Sequence, residues 1–173
     1  RLAAIPEAIS AAVCPFDDLE KACETVIATI QCGIPVARIE LLDALQIRAV
    51  NLYSKLALPE VPTLFLEFHG SEAGVREQSE TVATIAEEFG GGPFAFSTRP
   101  EERTRLWQAR HDAYWAALQL RPGARGMSTD VCVPISRLAE CIAETRSDIE
   151  RHGFVAPIVG HVGDGNFHTL LLV

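Results

Sequence analysis

No apolar run in this 173-residue chain approaches the ~20 residues needed to cross a bilayer, and no N-terminal stretch reads as a secretory signal. A transmembrane helix is therefore not expected. Positive charge is also scarce: 15 Lys and Arg against 23 Asp and Glu leave a net charge of −8. Nucleic-acid phosphates demand basic patches, so nucleic acid is not expected as a partner. An anionic substrate would need a local cation or metal to overcome the overall field. Cys-x-x-Cys pairs are missing. The five cysteines (Cys14, Cys23, Cys32, Cys132, Cys141) are odd in number and scattered. They read as reduced thiols of a cytosol-like compartment, with no disulfide framework. Gly90-Gly91-Gly92 lacks the strand-before, helix-after setting of a phosphate loop, and no Ser-His-Asp or Cys-His nucleophile set is visible. Nor does a linker or low-complexity tract divide the chain, and 48% apolar content suits one packed core. Because the first residue is Arg1, the chain reads as a piece of a longer protein.

What is present is a regular alternation of strand and helix patterns. Residues 8–14 look like a small-residue strand, and Asp17, with Glu20 three positions on, looks like the cap of a helix that Gly33 ends. Val36 to Leu41 form the next strand, and Asp43 opens a helix to about Ala57. Thr63 to His69 is a strand, Ser71 opens a helix to Phe89, and Phe94 to Phe96 is a short strand. One helix is predicted over 101–118, a strand over Thr129 to Val133, and a helix from Ser136 to about Arg151. The first half thus reads as a split βαβ order with one inserted helix. After a linking helix the second half repeats strand, helix, strand, strand. The expected fold class is α+β, a duplicated ferredoxin-like domain with an antiparallel sheet whose second repeat is truncated, leaving its last strand as an open edge.

The octapeptide His161-Val162-Gly163-Asp164-Gly165-Asn166-Phe167-His168 carries the most chemistry. Gly-Asp-Gly-Asn suits a tight reversal between two apolar strands. A four-residue loop at 163–166 would pair Val162 with Phe167 and His161 with His168. Opposed residues share a face with Cβ atoms roughly 4.5–5.5 Å apart, so both imidazoles can meet one divalent ion at about 2.0–2.1 Å. Two histidines are an incomplete set, since catalytic zinc usually takes three protein ligands.

Arg110 falls in the middle of an apolar helix stripe with Leu106, Ala113 and Ala117. A guanidinium there must reach solvent, pair with an acid, or grip a substrate carboxylate with its fork. Tyr114, one turn along, offers a hydroxyl to the same substrate. Glu67 and His69 share a strand face that lines a site or is simply solvated. Asp130 orients a ligand or caps the backbone, and His111 and His152 fall on helix surfaces. Arg121, Gly123 and Arg125 form a basic loop.

The octapeptide resembles the His-x-Gly-Asp-Gly-Asn-x-His motif of the FAD-linked oxidases. Val36 to Asp43, Phe65 to Gly70 and Ser128 to Ser136 are similar to the D-lactate dehydrogenase branch of that family. The resemblance covers essentially the whole chain. It implies a partial C-terminal, substrate-side domain whose flavin-binding domain is absent from residues 1–173. It implies FAD as cofactor and a divalent metal, zinc or manganese, at His161 and His168. The substrate implied is D-lactate or a related D-2-hydroxy acid, oxidised to the 2-oxo acid. Its carboxylate is held by Arg110 with a contact from Tyr114, and the electron acceptor is a cytochrome or another electron-transfer protein. No catalytic acid or base is assigned within this chain. The third metal ligand and the base belong to a later Gly-Glu-His stretch, so residues 1–173 alone are expected to be inactive. Ser128 stands where dicarboxylate-using relatives place a lysine, which favours a small monocarboxylate. The expected location is cytoplasmic, or peripheral to the inner membrane. Two other readings stay open: a non-catalytic ferredoxin-like ligand-sensing or oligomerisation module, and a metal-dependent hydrolase using the histidine pair.

Overall fold

The computed structural model describes residues 5–173. Strand β1 (Ala8–Pro15) leads through helix α1 (Leu19–Gln31) to β2 (Val36–Leu42), α2 (Ala44–Ser54) and β3 (Thr63–Gly70). Next come α3 (Glu72–Glu88), β4 (Ala95–Ser97), α4 (Pro100–His111) and α5 (Ala113–Leu118). The last part holds β5 (Gly126–Ser128), β6 (Val131–Cys132), α6 (Leu138–His152), β7 (Ile158–Gly160) and β8 (Asn166–Leu172). All pair in one antiparallel sheet of order β4-β1-β3-β2-β7-β8-β5, with β6 also on β8. The α+β class is as expected. Because β1 and β2 both run antiparallel to the intervening β3, they are parallel to each other, the arrangement of a split βαβ unit. In the same way β8 lies between β7 and the β5–β6 pair. The two halves join where Leu41 and Leu42 of β2 meet Gly160 and Val159 of β7.

Period-two alternation decides which helices cover which face. Ile39, Leu41, Leu64, Leu66 and Phe68 point to the side packed by α1, α3 and α6. Val13, Leu42 and Phe65 point the other way, under Ile47 and Val50 of α2 and Trp107 of α4. Each such fully buried side chain contributes roughly 1.5–3 kcal/mol of transfer free energy. The inserted α2 thus covers the second face, where β2 also carries Arg38 and Glu40.

Several expected boundaries shift, each for a local reason. Phe16 is still tied to Pro62 and bridged to Gly91, so α1 is capped by Asp18, not Asp17, through the Lys21 N–H at 3.0 Å. Helix α2 starts as expected, its cap Asp43 accepting from the Gln46 N–H, but stops at Ser54 where Lys55 turns left-handed at φ 53°. The single helix expected over 101–118 is two, divided at Asp112, whose ψ is 1° and whose carboxylate accepts from Gln108 at 3.1 Å. The strand expected over Thr129 to Val133 becomes β5 and β6, since the Thr129 hydroxyl takes a Thr169 N–H at the break. A 3-10 turn at Ile135–Arg137 delays α6 to Leu138. Strand β8 is interior, not an open edge; β4 and β5 are the ends of the sheet path.

Candidate functional site

The loop between β7 and β8 departs most from expectation. Val159 pairs with His168 and Ile158 with Thr169, so His168 does not face His161 across the ladder, nor does Val162 face Phe167. In place of a four-residue hairpin loop, Val162–Asp164 form a 3-10 turn, and Gly165 follows at φ 72°. The cause is burial: Val162 drops into the core beneath the sheet and is fully enclosed, which takes it out of the ladder. Close backbone contact fixes the rest. A Cβ on Gly160 would lie 2.4 Å from Phe167 Cα, and one on Gly165 would lie 2.2 Å from the Val133 carbonyl oxygen.

Even so, the imidazoles meet. The rings of His161 and His168 have centroids 6.0 Å apart and are nearly perpendicular, at 89°. His161 follows Gly160, which pairs with Leu41, so continuing that register sets His161 across from Glu40. Its Nδ1 lies 2.5 Å from Glu40 Oε1. His168 Nδ1 lies 3.1 Å from the Thr129 carbonyl oxygen. A carbonyl and an ionised carboxylate can only accept, so in both rings Nδ1 carries the hydrogen. In that tautomer the ring lone pair lies on Nε2, and neither Nε2 has a partner among the described residues.

Glu40 is the site residue that the sequence reading passed over. It is 5% exposed, and its other oxygen, Oε2, accepts from Arg110 Nε at 2.9 Å, with Nη2 of the same guanidinium also 2.9 Å away in the ion pair. Arg110 therefore takes the ion-pair option among the three left open, with its side chain 14% exposed. Its Nη1 has no partner among the described residues. The signal was available: one acid flanked by Ile39, Leu41 and Leu42 in a buried strand must have a cationic or donor partner.

Glu40, Arg110 and His161 border a cleft of about 350 Å³, together with Arg38, Trp107, His111 and Asp164. Arg38 lies across β2 and β3 from Glu67 and stacks 5.0 Å above the Trp107 ring. Glu67, only 6% exposed, is not solvated: its Oε1 lies 2.8 Å from His69 Nε2 and 3.4 Å from Arg38 Nε. One sheet face therefore carries two Arg–Glu–His sets side by side.

Two imidazoles with Nδ1 anchored on oxygen acceptors and Nε2 open match the usual support of metal-binding histidines. With Zn–N at about 2.0–2.1 Å, two rings on one ion have centres roughly 5–6 Å apart, close to what is seen. Among the described residues no set of three or more His, Cys, Asp or Glu gathers for a metal. The pair therefore fits two positions of a coordination sphere and leaves the others to groups beyond this set.

The family model of the FAD linked oxidases, C-terminal domain, matches residues 5–173. The chain belongs to the FAD-linked oxidases. A zebrafish (Danio rerio) family member named probable D-lactate dehydrogenase, mitochondrial, is 47% identical over all of this chain and 35% of its own length. An Arabidopsis thaliana protein named D-lactate dehydrogenase [cytochrome], mitochondrial, is 43% identical over 99% of this chain and 30% of its own. The chain therefore spans about a third of the length of these relatives. The solved 4-ethylphenol oxidase from Gulosibacter chungangensis shares the fold, with a TM-score of 0.67 at 14% identity, over 99% of this chain and 40% of that one.

Within this FAD-linked oxidase chain the remaining candidates are dispersed. Tyr114 does not line the cleft: the break at Asp112 leaves it on α5, 43% exposed, edge-on to Trp115. Asp130 accepts from Asn166 Nδ2 at 2.8 Å and stands 3.5 Å from His168 Nδ1, so it braces the motif. His152 bonds the Asp148 carbonyl at the end of α6. Arg121 donates to the Leu172 carbonyl at 2.7 Å, which ties the basic loop to β8. The amides of Gly90, Gly91 and Gly92 all donate to carbonyls of the chain itself, leaving none for a phosphate. Among the described residues no helix is long and apolar enough to cross a membrane.

Proposed function

We propose that this chain is the substrate- and metal-binding portion of an FAD-dependent dehydrogenase that oxidises D-lactate or a related D-2-hydroxy acid to the 2-oxo acid. The observation that carries the reading is the convergence of Arg110 and His161 on one cleft, with the His168 ring beside that of His161 and with Nη1 and two Nε2 atoms left without protein partners among the described residues. The flavin implied by the family would be held outside this chain, whose glycine run offers no phosphate cradle, and would supply the hydride acceptor. A zinc or manganese ion on the Nε2 atoms of His161 and His168 would supply a Lewis acid for the substrate hydroxyl.

The chain's own residues do the rest. Arg110 offers a planar donor to the substrate carboxylate and supplies local positive potential within a chain of net charge −8. Trp107 and the stacked Arg38 wall the cleft and limit water on that side. Tyr114 enters only through the family resemblance, as a further substrate contact from α5, the separate helix that follows Arg110's. Ser128, on β5, stands where the resemblance places a lysine in dicarboxylate-using relatives, and the missing charge supports a small monocarboxylate. The names of both relatives support a mitochondrial setting over the cytoplasmic one expected from the thiols, and the Arabidopsis name supports a cytochrome as electron acceptor.

The test is D-lactate-driven dye reduction by the full-length protein, comparing wild type with His161→Ala and Arg110→Ala at matched flavin content. Loss of activity in both is expected. Wild-type turnover in His161→Ala would remove the metal from the proposal, and wild-type KM in Arg110→Ala would remove the carboxylate clamp.

A further inference from the structure

We infer that Glu40 is a positioning residue that sets the proton on His161 and the aim of Arg110 at once; the inference rests on the proposed site. Its carboxylate is divided between the two. Oε1 faces His161 Nδ1 at 2.5 Å, and Oε2 accepts from Arg110 Nε at 2.9 Å, with Nη2 at the same distance in the ion pair. Nothing else in the chain gives either side chain a hydrogen bond among the described residues.

Three features make this more than charge balance. Glu40 sits on β2 between Ile39 and Leu41, which point into the opposite core, so the strand's alternation aims it at the cleft. It lies on the rung that the β2–β7 register extends to His161, so the backbone ladder sets the distance between acid and imidazole. And both partners present a different atom to the cleft than the one Glu40 holds. Holding Nδ1–H leaves the His161 lone pair on Nε2, and holding Nε, with Nη2 turned to the same oxygen, leaves Nη1 for an anion.

Replacing Glu40 by glutamine reverses this logic without changing size. Arg110 only donates, so the amide oxygen must turn to it, and the amide NH₂ then faces His161. His161 Nδ1 has to become the acceptor, its hydrogen moves to Nε2, and the lone pair is no longer available to an ion. Removing a buried group behind a metal-binding histidine typically costs about 10–100-fold in metal affinity.

The experiment has two arms on the full-length protein. In the first, Mn²⁺ affinity is measured for wild type, Glu40→Gln, His161→Ala and the double variant. Glu40→Gln is expected to weaken Mn²⁺ about 10–100-fold and to raise the KM for D-lactate. The double variant should bind no more weakly than His161→Ala, because Glu40 acts through that ring. Wild-type Mn²⁺ affinity in Glu40→Gln, or additive losses in the double variant, would overturn the inference. The second arm needs no substitution and no metal. Long-range ¹H–¹⁵N spectra of ¹⁵N-histidine-labelled wild-type protein read which nitrogen of His161 is protonated. Hydrogen on Nδ1 alone is expected, and hydrogen on Nε2 would overturn the inference even if the variant failed to fold. Failure of the metal proposal looks different: His161→Ala would keep wild-type Mn²⁺ affinity while the wild-type spectrum still showed the Nδ1–H form.

Discussion

His161 stands diagonally across the sheet from His168, two rungs beyond the Val159–His168 pair. The rings still meet because the register differs from the expected one by two residues. A shift of one would have sent one imidazole to the opposite face, whereas a shift of two preserves the face and lengthens the separation. The two glycines that close the turn hold this offset.

Gly160 is where that offset can be broken. A methyl there meets the Cα of Phe167 at 2.4 Å and the carbonyl oxygen of Asn166 at 2.6 Å, both backbone atoms that cannot rotate away. Gly160→Ala is expected to cost about 1–3 kcal/mol as the β7–β8 ladder parts. The full-length protein should show both a lower unfolding temperature and weaker Mn²⁺ binding. An unchanged melting curve would mean that the ladder yields more easily than the contact implies.

Arg110 tests the geometry of the fork. A lysine keeps the charge but offers a single ammonium, which cannot satisfy Glu40 and a substrate carboxylate in one plane. Arg110→Lys is expected to lower kcat/KM for D-lactate about 10–100-fold, from one charged hydrogen bond worth roughly 1.5–3 kcal/mol, chiefly through KM. A fall in kcat at unchanged KM would place Arg110 in the chemical step and away from ground-state binding.

These residues also show what a linear reading can reach. Asp43 as a helix cap, Gly33 as a helix end and the strand at 63–69 follow from local rules of capping and alternation, and the structure bears them out. The α+β order followed from counting such elements. The meeting of Glu40 with Arg110 and His161, 70 and 121 positions away, depends on the order in which strands join the sheet, which no local pattern encodes. Arg110 stood out because a charge interrupted an apolar stripe. Glu40 interrupts β2 in the same way, but it was read as part of a resemblance and not as a buried acid in need of partners. Tyr114 was placed by helical spacing, and the break at Asp112 removed the premise.

Asp43 joins three elements and invites a graded test. Its fully buried carboxylate accepts the Gln46 N–H at 2.7 Å and pairs with Arg146 of α6, while its own N–H reaches the carbonyl of Ile158, the first residue of β7. Asp43→Ala leaves Arg146 without its partner and α2 without its cap, at an expected cost of about 3–5 kcal/mol. Asp43→Asn keeps the cap, which asparagine makes nearly as well, and should cost clearly less. Urea unfolding of both variants measures the difference. Equal losses would show that the charge, and not the cap, is what Asp43 contributes.

Two thiols give the chain a pH signature. Burial pushes the Cys14 thiol from its ordinary 9.0 to about 11. It pushes Cys23 to about 12, with Glu20 adding a smaller effect in the same direction. Both thus hold their protons in the folded chain at pH values where unfolded thiols ionise. The sign follows: the stabilisation is complete below pH 9.0 and is lost as pH rises through 9 towards 11 and beyond. Each thiol adds a slope on the order of 1.4 kcal/mol per pH unit across that window. Below it, a thiol reagent at pH 8 should label exposed Cys32 and Cys132 first and leave Cys14 and Cys23 untouched until urea unfolds the chain. Replacing both buried cysteines by alanine should lower stability yet flatten its decline above pH 9. A decline of the same steepness in that double variant would assign the alkaline loss to other groups.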